Sequence, residues 1–549
     1  MSQPSNTNAT AKISRGSKLK TALSKPSWRV AFLLGLVAFG MGATLSLARW
    51  PVPFVHDEFS YLLAADTFCE GRLTNPTHPF WEHFESFHII MEPSYSSKYP
   101  PGQGLFLALG QRVTGHAIAG IWFLSALAAA ACYWMLLGWV PPRWAAAGGL
   151  IFIFHPGYQL LWGQTYYGGT LGFLGGALVC GAAARLVERP QISSALAMGL
   201  GTILLAVSRP YEGFVFCLLC GALVLVGWYR QGWPKGKPLL LQTIVPMTCV
   251  LLLGGLALAK HNKSVTGNFT TLPYQVHERT YTIAPLFLWQ GLTEVGNYRH
   301  KMIAEHHHGW MMDAYHLQNS LPNLLQFKAD LTEMDLHFFL PLPLAICSFF
   351  LILNLWQDHG NSKSRFWYFG VLVVVILSWF ASMLTAVVVY PHYMAPLAPL
   401  LLLISVWGLR YATITFRRIF PSYNRLWLPL AFLVCEAALL GHQALTHINS
   451  SKDIWSWQRE NMLAQLETTP KKHLIFVRYN STHNPRHEWV YNRADIDRSQ
   501  VAWAREIDPA NDQALADYFH DRKIWLLEAD QPNPTLQLWQ PTRRSSHDL

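Results

Sequence analysis

Two adjacent carboxylates directly follow the first long apolar segment of the chain. Asp57 and Glu58 stand in the stretch VPFVHDEFSYLLAADTF, residues 52–68, whose apolar positions can cover one side of a helix. Such a helix is predicted to lie along a membrane surface. A carboxylate at that boundary is partly desolvated, which raises its basicity, whereas a nearby cation can lower it again. Such a carboxylate could act as a general base on a hydroxyl. The alternative is that the pair only complements the helix dipole.

A cation occurs farther along the same loop. Lys98 precedes Tyr-Pro-Pro, residues 99–101, which can open a second interfacial helix because prolines are well tolerated at a helix start. Near the membrane plane, a lysine could neutralise the phosphate of a lipid. The alternative is a lysine that extends its ammonium towards water from an apolar stem.

The elements that must position these residues are membrane-spanning helices. The chain has 549 residues, of which 51% are hydrophobic and 13% charged, whereas soluble proteins carry about a quarter charged residues. Apolar runs of about 20 residues can cross a bilayer as helices. Nine such runs are predicted to span the membrane: 30–49, 117–139, 167–184, 213–228, 239–259, 338–355, 368–389, 393–409 and 427–446. Two shorter runs, 144–155 and 193–208, bring the predicted number of spans to about eleven.

The distribution of charge predicts the topology. The net charge of +10 does not indicate nucleic-acid binding, because the basic residues gather in alternate loops, as expected for cytoplasmic loops. The N-terminal tail is basic and is predicted to be cytoplasmic. With eleven spans, the first outer loop (50–116), the second outer loop (260–337) and the C-terminal tail from 447 then fall outside. The predicted location is a bacterial inner or plasma membrane.

The predicted fold class is an all-α polytopic membrane bundle with interfacial helices and a small outer α/β domain. Residues 1–28 are predicted to be a disordered basic tail, 29–446 the membrane domain and 447–549 the outer domain. In the last part, KKHLIFVRY and RKIWLLEAD have strand character and NDQALADYFHDR between them predicts a helix. Only Cys69 lies outside a predicted span, so no disulfide between outer cysteines of one monomer is expected.

The motifs, taken in order, resemble a known family. An Asp-Glu pair after the first span and then KYPP resemble the GT-C-type membrane glycosyltransferases, in particular the protein O-mannosyltransferases and the lipid A aminoarabinose transferases. AVSRPYEGFVF, residues 206–216, resembles a short outer turn of that family, and YPHYMAPLAPLLLL, residues 390–403, its late turn into a proline-punctuated span. The resemblance covers roughly residues 30–450.

The resemblance implies an inverting transfer of a sugar from a polyprenyl-phosphate donor to an acceptor hydroxyl outside the membrane. It implies that Asp57 is the catalytic base, Glu58 its partner and Lys98 a phosphate ligand. Arg209 and His392 are further candidates on the phosphate side. The sugar, hexose or pentose, and the acceptor, a glycolipid, polysaccharide or protein, are left open. No cofactor is assigned, and a divalent cation is left open.

The sequence also departs from the family pattern in two places. The turn HPGYQLLWGQTYYGG, residues 155–169, lacks the acidic residue that relatives often carry there. The first outer loop contains an insert, NPTHPFWEHFESFHIIMEP, residues 75–93. The departures leave the role of that turn open and predict a different acceptor-facing surface.

Residues 299–310, RHKMIAEHHHGW, invite a metal-site interpretation. Consecutive residues of a helix point in different directions, whereas a metal needs convergent ligands. A mobile loop over the donor site is therefore favoured, and no metal ligands are assigned.

Two other functions account less well for the sequence. A transporter of a lipid-linked or hydrophilic solute should carry ionisable groups along its spans; the predicted spans are nearly free of charge, Glu436 being an exception. A membrane scaffold would leave the ordered set of Asp57, Glu58 and Lys98 unexplained. The outer domain is predicted to help recruit the acceptor.

Overall fold

The computed structural model describes residues 26–234, 236–357, 362–385, 389–452 and 454–540. Most of the predicted basic tail, residues 1–25, therefore lies outside the described residues.

Most of the described chain is helical, and the helices form one bundle. Within the described residues, eight helices are long and apolar enough to cross a membrane, and a ninth span results if a pair bent by 100° is counted as one. The long helices are α1 Trp28–Ala48, α4 Ile118–Leu136, α6 Thr170–Glu188, α8 Pro210–Gln231, α9 Lys237–Thr266, α13 Ser362–Met383, α14 Ala398–Ile419 and α15 Trp427–Asn449; the bent pair is α11 Leu321–Phe339 and α12 Leu342–Gln357.

Two shorter apolar helices, α5 Pro142–Phe154 and α7 Ile192–Ala206, coincide with the two shorter apolar runs of the sequence. The structure thus confirms a polytopic helical membrane bundle, while the count of eleven spans stays a prediction. Short turns join consecutive helices, such as residues 189–191 between α6 and α7, so neighbouring helices run antiparallel and their ends alternate between the two faces of the bundle.

Helices α2 His56–Cys69 and α3 Pro101–Thr114 lie in the first of the predicted outer loops. Helix α10 Pro273–Tyr281 lies in the second, which also contains the short helices Lys301–Glu305 and Met312–His316. Leu105, Leu109 and Val113 make one side of α3 apolar and exposed, as expected for a helix at a membrane interface. In α2, by contrast, Phe59 and Leu63 are buried among residues of the C-terminal domain. The apolar side of α2 therefore covers protein rather than lipid, a correction to the interpretation from sequence.

Two glycines allow the loops around the site to approach the bundle closely. A Cβ atom on Gly102 in α3 would lie 2.6 Å from the Val207 carbonyl oxygen, which accepts a hydrogen bond of 2.9 Å from the Gly102 amide. A Cβ atom on Gly176 in α6 would lie 2.0 Å from the Pro396 carbonyl oxygen. The first contact joins the KYPP segment to the turn of Arg209, and the second holds the loop of His392 against α6.

The C-terminal part is an α/β domain with a four-stranded sheet. Helix α16 Trp455–Glu467 precedes β3 His473–Arg478, β4 Val501–Arg505, α17 Pro509–Tyr518, β5 Lys523–Glu528 and β6 Leu536–Leu538. The strand order is β4-β3-β5-β6; β3 is parallel to β4 and β5, and β6 is antiparallel. The two predicted strands and the helix between them are confirmed, whereas β4 was not predicted from sequence.

The core of this domain continues into the first outer loop. Phe84, Ile89 and Tyr95 of that loop belong to the same buried cluster as Leu474 and Trp503 of the sheet. Two short strands, β1 Ile89–Ile90 and β2 Ser96–Ser97, pair antiparallel within the loop. Because loop and domain share one hydrophobic core, we expect them to fold as one unit.

This shared core can be tested with Phe59→Ala. Phe59 stacks on Tyr491 with ring centroids 4.0 Å apart, and loss of a buried phenyl ring should cost about 3 kcal/mol of unfolding free energy. We expect a lower thermal unfolding midpoint and faster proteolysis of the C-terminal domain. Leu538→Ala, at a position 62% exposed in the same domain, is the control. Equal effects of the two substitutions would contradict a shared core.

Candidate functional site

A carboxylate and a histidine form the centre of the candidate site. Asp57 lies in the first turn of α2, and its Oδ1 is 2.8 Å from His88 Nδ1. His88 precedes β1 and has a φ of 61°, which is uncommon for a residue other than glycine. Its carbonyl oxygen accepts hydrogen bonds from the Lys98 amide and the Ser60 hydroxyl. Strained backbone held by its surroundings is frequent at functional sites.

The Asp57 carboxyl is held in its ionised form. Burial alone would raise its pKa, but the charge and hydrogen bond of His88, together with His392 and Lys98, lower the pKa well below the ordinary value. Burial and Lys98 lower the pKa of His88 as well, whereas Asp57 and Glu278 oppose that shift. About a quarter of the Asp57 side chain, 25%, remains exposed, so an acceptor could reach it.

Lys98 is buried beside the second outer loop. Its Nζ is 3.6 Å from Glu278 Oε1 in α10 and 4.9 Å from the ring centre of Tyr274. Burial lowers the pKa of Lys98, although Glu278 and Asp57 oppose the shift. Sequence reasoning selected Lys98 but missed Glu278, which becomes its neighbour only through the fold.

The Glu58 carboxyl contacts backbone amides and makes no contact with the Asp57 side chain among the described hydrogen bonds. Its Oε2 accepts from the amides of Phe54 and Val55 at 2.7 and 3.1 Å, and its Oε1 accepts from the amide of Tyr166 at 3.0 Å. Burial raises the pKa of Glu58 to about 7 despite these hydrogen bonds. Glu58 thus supplies a carboxyl to the turn 155–169, which has none of its own, and fixes the start of α2.

Arg209 and His392 lie on another side of the site. The Arg209 guanidinium is buried and is 4.7 Å from the ring centre of Tyr393. The buried His392 ring contacts the rings of Tyr167, Tyr390 and Tyr393. Burial and Arg209 lower the pKa of His392, whereas Asp57 opposes the shift. The fold therefore brings all the residues selected from sequence to one region, with the Glu58 carboxyl turned towards backbone amides.

Four further histidines surround the Asp57 and His88 pair. Their ring centroids lie between 5.1 and 6.4 Å from one another or from His88, and each has a buried ring nitrogen that makes no hydrogen bond to the described residues. They are His56, His277, His306 and His307. Among the described residues, no group of three His, Cys, Asp or Glu side chains is placed to hold a metal ion.

His306 and His307 belong to the histidine-rich segment of the second outer loop. They lie in a π-helical turn, His306–Met311, and are buried, whereas His308 is exposed. Two of the three consecutive histidines therefore reach the site. The sequence predicts that this segment is a loop over the donor site. It does not predict which of the three histidine rings are buried.

The C-terminal domain also reaches the site. The Tyr491 hydroxyl lies 2.7 Å from His56 Nδ1. Arg459 of α16 fixes this segment by donating to the carbonyl oxygens of Trp489 and Tyr491 at 2.9 and 2.8 Å. Sequence analysis placed the domain on the same side as Asp57 but gave no indication of Tyr491, because the contact is separated by more than four hundred residues along the chain.

A polar cavity of about 400 Å³ adjoins His277 on the side of the insert. Aromatic rings of Trp81, Tyr281 and Tyr298 line it together with the carboxyl group of Glu85. Glu85 Oε1 accepts from the Tyr281 hydroxyl at 2.7 Å, and its Oε2 makes no hydrogen bond to the described residues. The insert therefore contributes both His88 and one wall of this cavity.

Comparisons with known proteins return structures of membrane glycosyltransferases. No family model and no curated protein matches the chain. ArnT from Cupriavidus metallidurans bound to undecaprenyl phosphate is 11% identical, with 91% of each chain covered and a TM-score of 0.49; its apo state gives 11% identity, 90% and 92% coverage and 0.47. An oligosaccharyltransferase from Archaeoglobus fulgidus, tethered to an acceptor peptide, is 10% identical, with 91% of this chain and 69% of that chain covered and a TM-score of 0.42.

These structures belong to the class of GT-C membrane glycosyltransferases that the sequence motifs resemble. At this level of similarity, the function has to be inferred from the contacts in the site itself.

The raised pKa of Glu58 predicts a dependence of stability on pH. A folded-state pKa of about 7 lies above the ordinary value, so the protonated form stabilises the fold at low pH and this contribution is lost as the pH rises through 7. The unfolding midpoint should therefore fall more steeply with pH in the parent than in Glu58→Gln. Glu70→Gln, at the exposed end of α2, should keep the parent slope; an equal slope in Glu58→Gln would contradict the assignment.

Proposed function

We propose that this integral multi-pass membrane protein is an inverting glycosyltransferase of a bacterial inner or plasma membrane. It moves a sugar from a polyprenyl-phosphate donor to an acceptor hydroxyl on the outer face, with the N-terminus inside and the C-terminus outside. The observation that carries the proposal is the partly exposed Asp57 carboxyl in contact with His88. It lies in the same region as the buried side chains of Lys98 and Arg209, in loops at one end of an apolar helical bundle.

Asp57 acts as the general base. It takes the proton of the acceptor hydroxyl while that oxygen attacks the anomeric carbon, and the bond from this carbon to the donor phosphate breaks. Attack opposite the leaving group inverts the configuration at the carbon. His88 orients the Asp57 carboxylate through the 2.8 Å contact, and Glu58 holds the first turn of α2 in place.

Lys98, Arg209 and His392 stabilise the departing polyprenyl phosphate. Lys98 and Arg209 are buried, and positive charges are more effective where water is excluded. Glu278 beside Lys98 offsets its charge when no donor is bound. His392 can donate a hydrogen bond to a phosphate oxygen as a neutral imidazole.

An apolar groove supports a lipid-linked donor. It has a volume of about 1010 Å³ and is lined mainly by side chains of α11 and α13, among them Leu325, Leu336 and Phe380. Helix α13 leads into the loop that holds His392. We place the first part of the polyprenyl chain in this groove, with its phosphate directed towards the site.

The cavity beside His277 is placed on the acceptor side. Aromatic rings with carboxylate and guanidinium groups, as in Trp81, Glu85 and Arg299, can hold a polar molecule through ring faces and hydrogen bonds. Because His277 lines the cavity whereas Asp57 and His88 do not, it would hold a part of the acceptor remote from the reacting hydroxyl.

The base assignment is tested by Asp57→Asn. The amide cannot take the proton, so transfer should fall by a factor of about 100 to 10,000. The assay follows labelled sugar from a panel of polyprenyl-phosphate sugars, with host membrane extract as acceptor. Asp66→Asn, on the same helix and paired with the exposed Arg493, is the control. Equal transfer by parent and Asp57→Asn would refute the assignment.

The role of His88 is tested by the pH profile of His88→Ala. Because His88 lowers the pKa of Asp57, its removal raises that pKa, and the base becomes protonated at a higher pH. The acidic limb of kcat/KM should therefore move to higher pH. His78→Ala, in the same insert and in contact with Asp497, should leave the limb in place. An unmoved limb in His88→Ala would contradict the pairing.

A further inference from the structure

Five arginines line one cavity at the face of the bundle opposite the candidate site. The cavity has a volume of about 460 Å³ and lies between the start of α5, the end of α14 and the start of α15. No aspartate or glutamate is among its lining residues. The arginines are Arg143, Arg410, Arg417, Arg418 and Arg425.

These arginines have no anionic partner in the described part of the chain. None of the five guanidinium groups makes a hydrogen bond or an ion pair to a described residue. The positive-inside rule requires only that basic residues lie in the loops on one face of the membrane. It does not require that five of them line a single cavity. Arg410 is half-buried and the other four are exposed, so an anion that enters from the membrane surface would be attracted by all five charges.

The cavity of the five arginines lies far from the proposed donor site. Helix α14 begins at Ala398, shortly after His392, and ends at Ile419 beside the cavity. With a rise of 1.5 Å per residue, its 22 residues span about 33 Å. A phosphate held by Lys98 or Arg209 therefore cannot reach these arginines, and an anion bound there is a different molecule.

The apolar part of the lining indicates what kind of anion fits. Trp144 is buried in the cavity wall, and Ile414 and Leu426 line it with exposed side chains. Ile414 lies near the end of α14 and Leu426 directly before α15, so exposed apolar side chains adjoin the arginines at the ends of two membrane-spanning helices. Guanidinium groups bind phosphate through paired hydrogen bonds.

We propose that this cavity binds the phosphate headgroup of an anionic glycerophospholipid from the leaflet opposite the candidate site. The guanidinium groups hold the phosphate, and the apolar wall contacts the upper acyl chains. Basic pockets between membrane helices are known to take such headgroups. The proposal stands independently of the glycosyltransferase function.

The test compares lipid binding by two charge-matched variants. Parent protein in phosphatidylcholine nanodiscs is titrated with labelled phosphatidylglycerol or cardiolipin, and retained lipid is also counted by native mass spectrometry. Arg410→Gln, Arg417→Gln and Arg425→Gln are combined in the cavity variant. Arg29→Gln, Arg189→Gln and Arg230→Gln, at other helix ends of the same face, form the control.

We expect the cavity variant to bind anionic lipid about 100-fold more weakly, since each arginine near an anionic lipid contributes roughly fivefold, and the control to bind like the parent. Equal weakening in both variants would overturn the proposal, because it would show unspecific attraction. Inorganic phosphate that binds the parent as tightly as the lipid would also overturn it, because the site would then take a free anion.

A second variant distinguishes loss of the binding site from misfolding or an altered membrane topology. Arg410→Lys, Arg417→Lys and Arg425→Lys keep the positive charge but lose the paired hydrogen bonds of guanidinium. This variant should insert normally and bind anionic lipid several-fold more weakly than the parent. Binding equal to that of the parent would contradict recognition of the phosphate by guanidinium groups.

Discussion

The candidate site depends on keeping one carboxylate charged where water is scarce. Burial of an ionised group is costly unless charges and hydrogen bonds compensate it. At Asp57 the compensation comes from the His88 contact and from the positive charge of Lys98. His88 and Lys98 belong to the same loop as Asp57, residues 50–116, and His392 belongs to the loop before α14. The ionisation of Asp57 therefore requires the first loop to fold into its β1–β2 pair and to lie against the loop of His392.

The architecture supplies that arrangement through contacts that are far from the reacting atoms. Gly102 brings the KYPP segment against the turn of Arg209, and Gly176 brings the loop of His392 against α6. The C-terminal domain completes the enclosure, since its core includes Phe59 of α2 and its Tyr491 contacts His56. Removal of the whole domain would therefore expose this core and destabilise the fold. Single substitutions at the contacts of the domain separate an effect on folding from an effect on acceptor recruitment better than the deletion does.

The sequence was sufficient for the parts that depend on local pattern. Apolar run length predicted the helices, and Asp57, Glu58 and Lys98 could be selected because each stands at a predicted helix start. His88 and Glu278 could not be found, because their significance arises from pairing across loops: β1 and β2 set Lys98 beside His88, and α10 sets Glu278 beside Lys98. The density of histidine and glutamate in the insert was a signal, but it did not indicate which side chain would face Asp57.

The adjacent carboxyls Asp57 and Glu58 illustrate why position in the sequence does not define a role. Both are desolvated, yet the fold lowers the pKa of one and raises that of the other. The side chains of His88, His392 and Lys98 lower the pKa of Asp57. Glu58 is surrounded by backbone amides, whose partial charges do not fully offset the effect of burial on its pKa. When the pKa values of neighbouring carboxyls are driven apart in this way, the group with the lowered pKa is the one that is fully ionised at neutral pH. The electrostatics therefore favour Asp57 as the base, with Glu58 as the group that positions it.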